Sequence, residues 1–197
     1  NPMRLIDLSH AFGSHMPVYP GDPVPEMTQV ATLSEHGYTD FQVKTGMHVG
    51  THVDAPLHLI EGGKRLSEIP VHRFTGNAHL IQAEGRSVIE QDVLEGRNIL
   101  PGDILLVRTG HDAFFGQETY YLEHPVLGEG FAHRVVELGV GMVGLDTPSP
   151  DRAPFAIHKI LLRNEVLIIE NLTNLSSLND AEKIEIFAFP PKLDVEA

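Results

Sequence analysis

The 197-residue chain contains no cysteine. That removes disulfides, thiolate nucleophiles and thiolate-ligated metal sites together. Basic residues are scarce: 14 Lys and Arg stand against 27 Asp and Glu, a formal net charge of -13. A surface of that sign repels a phosphate backbone, so no nucleic-acid partner is expected. Long apolar runs are missing as well. Val166-Leu167-Ile168-Ile169 is typical of the longest, and a bilayer span needs about 20 residues. No membrane partner is therefore expected. The chain does not open on a basic region followed by an apolar stretch, so no export signal is read and a cytoplasmic location is expected. There is no G-x-x-x-x-G-K-[ST] loop for nucleotide hydrolysis and no G-x-S-x-G turn for a serine nucleophile. Without repeats, low-complexity tracts or a linker, residues 1–197 are expected to form a single domain.

What is present is a core and many histidines. Apolar residues make up 42% of the chain, enough for packing, and it carries 12 His. Imidazoles bind divalent metals, so their placement matters more than their number.

Buried strands and helices alternate. Arg4–Leu8 reads as a short strand, and the segment 16–25, with four prolines and a glycine, as an ordered loop. Glu26–Leu33 and Phe41–Met47 alternate as strands do. Ala78–Ile81 reads as another strand. Ser87-Val88-Ile89-Glu90 has a capping-box pattern that predicts a helix to Leu94. Ile104–Val107, Met142–Leu145 and Val166–Ile169 read as buried strands. Phe131–Leu138 and Ala153–Leu162 read as helices, and Ile184–Phe189 as a final strand. The pattern predicts an α/β domain with a mixed sheet. At the ends, Asn1-Pro2 ahead of Met3 reads as a remnant before a native start, and Ala197 as an early stop.

The dense segment is Met47–His58. His48, His52, Asp54 and His58 fall at offsets 0, 4, 6 and 10. On a straight strand His48 and His52 would lie about 13 Å apart, too far for one ion with donors at about 2.0–2.2 Å. Val49, Gly50, Thr51 and Pro56 disfavour a helix. A turn at Gly50-Thr51 is the remaining way to fold His52 back on His48, with glycine supplying the freedom. Pro56 keeps Ala55 extended and aims His58 at the same place. His158, among apolar residues of the predicted helix, and Glu170, directly after a buried strand, are further acceptors. A carboxylate at that strand end either meets a cation or donors, or emerges into water at the sheet rim. The other histidines lie outside any cluster and read as solvated or locally satisfied.

The segment His48-Val-Gly-Thr-His-Val-Asp-Ala-Pro-Leu-His58 matches the H-x-G-T-H-x-D-x-P-x-H signature of the metal-dependent cyclase family, whose members include bacterial kynurenine formamidases and isatin hydrolases. Three other segments agree, from Ile6 to about Pro190. Tyr19-Pro20-Gly21-Asp22 resembles the family's W-P-G-D loop. Gly144–Asp151 resembles its G-[IV]-D-x-x-S-x-D segment. His158 and Glu170 show the twelve-residue separation of its distal His and Glu. The resemblance implies a swivelling β/β/α fold, a homodimer or higher homo-oligomer, and a binuclear site. Residue by residue, His48, His52 and Asp54 would hold one metal, and Asp54 would bridge to a second held by His158 and Glu170. His58 would be the catalytic acid/base. Tyr19, Pro20 and Asp22 would border the substrate, with Tyr19 where formamidases commonly carry Trp; Ser149 reads as a turn or substrate-contacting hydroxyl. The chain also stops short of the family's usual C-terminal segment.

An N/O donor set without sulfur suits Zn²⁺ or Mn²⁺. Two zinc ions per chain are expected, with manganese an option. Such a metal lowers the pKa of bound water toward about 7 and supplies hydroxide for attack on an amide carbonyl. The expected activity is hydrolysis of an aromatic amide, N-formyl-kynurenine first and a cyclic amide such as isatin second. A metal- or small-acid-binding module without chemistry is the non-enzyme alternative, and turnover of any formanilide separates the two.

Overall fold

The computed structural model describes residues 4–197; the expected start at Met3 lies outside the described residues. In chain order the strands are β1 (Glu26–Ala31), β2 (Asp40–Lys44), β3 (His52–Asp54), β4 (Thr75–Gln82), β5 (Val88–Ile89), β6 (Ile104–Arg108), β7 (Val126–Leu127), β8 (Met142–Leu145), β9 (Leu167–Glu170) and β10 (Ile184–Phe187). The α-helices are α1 (Leu33–His36), α2 (Glu118–Leu122), α3 (Glu129–Glu137) and α4 (Ala156–Arg163).

Six strands form the main sheet in the order β10-β4-β6-β8-β9-β3. The four inner strands run parallel, and β10 and β3 lie antiparallel at its two edges. The fold is thus mixed α/β with a mixed sheet. Of its inner strands β6, β8 and β9 are nearly continuous apolar runs because both faces are covered, whereas β4 is only partly buried. Leu105, Val107, Val143 and Ile168 pack against Phe131 and Val135 of α3 and Leu161 of α4. Ile104, Leu106, Met142 and Ile169 point the other way, onto Leu66, Phe74, Leu175 and Leu178. β1 and β2 pair outside this sheet as a two-stranded ladder. Val30, Phe41 and Val43 on it are exposed.

The register of β3 on β9 positions the site. His52 lies opposite Glu170 and Asp54 opposite Ile168. Residues directly opposite, and those two apart, share a face. His52, Asp54 and Glu170 therefore point to the side of the sheet where Ile168 meets α4.

Several sequence expectations differ from the structure; the strands read as Glu26–Leu33 and Phe41–Met47 run only Glu26–Ala31 and Asp40–Lys44. Arg4–Leu8 carries no regular ladder. Ser87–Leu94 is not one helix: Val88-Ile89 pairs with Val126-Leu127 as β5 and β7, and only a 3-10 turn, Gln91–Leu94, follows. A two-residue β-branched pair finds more in a ladder than in a helix. The helix expected from Ala153 starts at Ala156, because Phe155 sits at φ 62. The last strand ends at Phe187, before Pro190.

Candidate metal centre

Three pieces of chain converge on the β3–β9 edge. The first is the signature segment. Gly50 takes φ +70, a conformation the turn needs and glycine adopts freely, with the tip of the Met16 side chain packed over it. The turn brings His48 Nδ1 within 3.2 Å of His52 Nε2. Ala55 is extended at φ -92, ψ 161, and Pro56 starts a 3-10 turn, Pro56–His58, that swings His58 inward. That turn is pressed from outside by Gly63, where a Cβ would meet the Pro56 carbonyl carbon at 2.6 Å. The His48 and His58 rings end 4.0 Å apart.

The second piece is α4, which carries His158 on its buried face. The third is the end of β9, which carries Glu170. Around Asp54 the polar atoms are close. His48 Nδ1 lies 3.0 Å and His52 Nε2 3.3 Å from Asp54 Oδ1, and His158 Nε2 lies 3.6 Å from Asp54 Oδ2. Glu170 Oε2 lies 3.3 Å from His52 Nε2, and Glu170 Oε1 lies 3.1 Å from His158 Nε2. His48, Asp54 and His58 form one compact group of ligand atoms, and His52, Asp54 and Glu170 another. The two share Asp54.

These residues fit a divalent cation. Asp54 is fully buried, yet neither of its oxygens has a hydrogen-bond partner. Three imidazole nitrogens lie within 3.6 Å of them, but none is aligned to donate. A buried carboxylate left without donors costs several kcal/mol by order of magnitude unless a positive charge meets it. Imidazole nitrogens facing one another and a bare carboxylate make a donor set for a hard or borderline metal, with nitrogen and oxygen only.

The same geometry governs ionisation in the metal-free protein. Burial pushes the Asp54 carboxyl up, but the His158, His48 and His52 imidazoles outweigh it and hold the group well below the usual carboxylate range. For His52 and His158, burial pulls down while neighbouring carboxylates prevail, so both stand well above an ordinary imidazole. Burial lowers the His58 imidazole, and His48 and His158 add to that against the pull of Asp54 and Glu170. His58 thus favours its neutral form, able to take a proton or pass one on.

The remaining expected residues lie farther out. Tyr19 is half exposed and meets Tyr121 of α2 edge-on at 5.8 Å. The Asp22 N–H donates to the Tyr19 carbonyl at 2.9 Å, a turn around exposed Pro20. Among the described residues, no hydrogen bond or ring contact of Tyr19, Pro20 or Asp22 reaches the imidazoles. Ser149 is buried in a turn, where its Oγ accepts from the Asp151 N–H at 3.3 Å.

Sequence reasoning gave Asp151 no role, yet it holds His158. Its Oδ1 accepts from His158 Nδ1 at 2.6 Å, and its Oδ2 accepts the N–H groups of Ile157 and His158. One carboxylate thereby caps the start of α4 and turns His158 Nε2 toward Asp54 and Glu170. Its place in the Gly144–Asp151 segment was the signal. Asp146 in the same segment is structural: it accepts from the Thr109 and Gly110 N–H groups and from the Thr109 hydroxyl. Near the other end of the chain Glu196 Oε1 stands 3.6 Å from His48 Nε2. Asp151→Asn is expected to weaken metal binding about 10–100-fold, the usual cost of losing a ligand's carboxylate support. Competition with a metal-chelating dye measures it, and an unchanged affinity would show that His158 is oriented by packing alone.

A family model described as "Putative cyclase" matches residues 6–152. The chain belongs to the putative cyclase family. Among its curated relatives is a kynurenine formamidase of Delftia acidovorans, 29% identical over 200 residues, covering 98% of this chain and 92% of the relative. Among solved structures, one described as a predicted metal-dependent hydrolase from Bacillus stearothermophilus is 28% identical with a TM-score of 0.75, covering 98% of this chain and 92% of that one. Isatin hydrolase A from Ralstonia solanacearum superposes with a TM-score of 0.85 at 21% identity, over 98% of this chain and 88% of its own, and shows the common fold. No helix of this cyclase-family chain is long and apolar enough to cross a membrane, among the described residues.

Proposed function

We propose that the protein is a metal-dependent amide hydrolase, most specifically an arylformamidase that converts N-formyl-kynurenine to kynurenine and formate. The observation that carries the reading is Asp54: a fully buried carboxylate without a donor, ringed by His48, His52, His158 and, through the imidazoles, Glu170. The relatives' name supports the formamide substrate. The isatin hydrolase fold keeps a cyclic aryl amide as the second reading.

His48, His52 and Asp54 would hold one ion, and Asp54, His158 and Glu170 a second; Zn²⁺ is the favoured metal and Mn²⁺ an option. A divalent cation held there polarises a carbonyl and lowers the pKa of water. The protein's own part is to move a proton. His58, neutral by burial, sits beside the His48 ring and within reach of the reacting groups. It takes a proton from the attacking water and returns it to the aryl nitrogen as the C–N bond breaks, so that a neutral amine and formic acid leave, the acid giving its remaining proton to solvent to become formate. Tyr19, Pro20 and Asp22 touch none of the imidazoles and Ser149 is engaged in its own turn, so their place beside the substrate rests on the family resemblance. An aromatic face such as Tyr19 would offer is worth about 0.5–1.5 kcal/mol to a planar amide. At 1.4 kcal/mol per decade that is about ten-fold at most, so cyclic aryl amides are expected to be turned over as well.

The deciding assay runs N-formyl-kynurenine and isatin side by side. Preference for the formamide supports the assignment, and an advantage of isatin by orders of magnitude replaces it with the second reading. We further propose a single-domain protein that works in the cytoplasm as a homo-oligomer. Support for the oligomer comes from the exposed Val30, Phe41 and Val43 on a two-stranded ladder, which is marginal when unpartnered. Light scattering that finds a monomer at micromolar concentration rules it out.

A further inference from the structure

His52 is held from behind by its own turn. Its Nδ1 lies 2.8 Å from the Gly50 carbonyl. A carbonyl only accepts, so Nδ1 carries a hydrogen, and in the neutral ring that a cation would bind, Nε2 has the lone pair and faces Asp54 and Glu170. The direction of the Gly50 carbonyl therefore decides where that lone pair points. No strand ladder sets this direction, because segment 47–51 lies outside regular structure.

Asn171 sets it instead. Its Nδ2 donates to the same Gly50 oxygen at 2.9 Å. Its Oδ1 accepts from the Tyr120 hydroxyl at 2.8 Å. The amide orientation follows from chemistry: the group facing a carbonyl must be the NH₂, so the oxygen faces Tyr120, and the phenol donates. The backbone of Asn171 is pinned as well. Its N–H donates to the Thr147 carbonyl at 3.0 Å, and its carbonyl accepts from Thr51 Oγ1 at 2.6 Å. It takes φ 58, a left-handed conformation that asparagine tolerates. Tyr120 is completely buried in α2, stacked on His111 at 5.2 Å with Phe115 edge-on. The chain of bonds thus runs from a helix through Tyr120, Asn171 and the Gly50 carbonyl to His52.

We propose that Asn171 and Tyr120 are positioning residues that keep the His52 Nε2 lone pair aimed into the cation site. The inference rests on the metal reading given above. Neither side chain is itself a ligand; each acts through the next.

The test is a Co²⁺ titration of metal-free protein, followed by visible absorption, which reports both affinity and ligand geometry. Tyr120→Phe removes one hydroxyl and keeps the ring. Asn171→Asp keeps the shape and the left-handed tolerance but sets an acceptor against the Gly50 carbonyl. Both are expected to bind Co²⁺ about 10–100-fold more weakly and to shift the absorption bands. The thermal midpoint of the metal-free proteins, measured alongside, separates this from unfolding. If Asn171→Asp fails to fold, Tyr120→Phe carries the test alone. Wild-type affinity and bands in Tyr120→Phe would overturn the proposal and leave the metal reading intact. Failure of wild type to bind Co²⁺ at all would overturn both, and the two outcomes differ in the wild-type titration.

Discussion

Stripped of metal, the protein is expected to lose hydrolysis entirely and to regain it with Zn²⁺ or Mn²⁺. The reason is that, among the described residues, no side chain of the candidate site is placed as a nucleophile, and His58 alone is too weak a base to make hydroxide from free water. The chain has no cysteine. Ser149 lies between two prolines in a turn, its Oγ engaged by the Asp151 N–H. Free water has a pKa of about 15.7, against about 7 when bound to a catalytic metal. That difference of more than eight decades in acidity has no substitute among the side chains of the site. Metal analysis of loaded protein should approach two ions per chain, and Glu170→Gln should remove about one. Removing the cations should also lower the thermal midpoint, since a ligand bound only by the folded state stabilises it. Full activity in a verified metal-free sample would sink the mechanism, and saturation at one ion would sink the bridging role of Asp54.

His58→Ala is expected to retain metal and lose about 10²–10⁴ in kcat, the usual contribution of a positioned acid/base. Geometry makes this a sharp question. The His58 ring lies 4.0 Å from His48 and 5.6 Å from His158, and its ligand atom falls in the compact group with His48 and Asp54. It is close enough to bind an ion if one shifts toward it. An activated ester, whose leaving group needs no proton, separates the roles. A proton-transfer residue spares ester hydrolysis when removed and cripples the amide. If His58→Ala instead loses an ion and both reactions fall together, His58 is a ligand and the acid must be sought elsewhere.

The inner sheet was legible because its strands obey a simple rule. Ile104–Val107 and Met142–Leu145 are buried on both faces, so every residue is apolar and turn residues such as Pro101-Gly102 mark the ends. Ser87–Leu94 was misread because a capping pattern is local, whereas the partner that makes Val88-Ile89 a strand lies at Val126-Leu127. The candidate site divides in the same way. His48, His52, Asp54 and His58 stand within eleven positions, and glycine and proline mark the turns between them. His158 and Glu170 had only their residue types and the family spacing to show them; the β3–β9 register and α4 bring them in. Asn171, Tyr120 and Glu196 left no signal, since their roles arise from contacts made across the fold.

The edge position of β3 has a consequence for how the molecule assembles. The inner strands join in chain order, β4 to β6 to β8 to β9, each docking beside its predecessor. β3 precedes them all in sequence but pairs with the last, His52 opposite Glu170. Closing that pairing spans more than half of the chain and gains nothing until β9 is in place. The parts of the candidate site on β3 and on β9 and α4 are therefore expected to meet late in sheet assembly. In a refolding experiment, far-ultraviolet circular dichroism should recover before the capacity to bind metal does. A chain released early from its folding path would carry a formed sheet and a divided, inert centre.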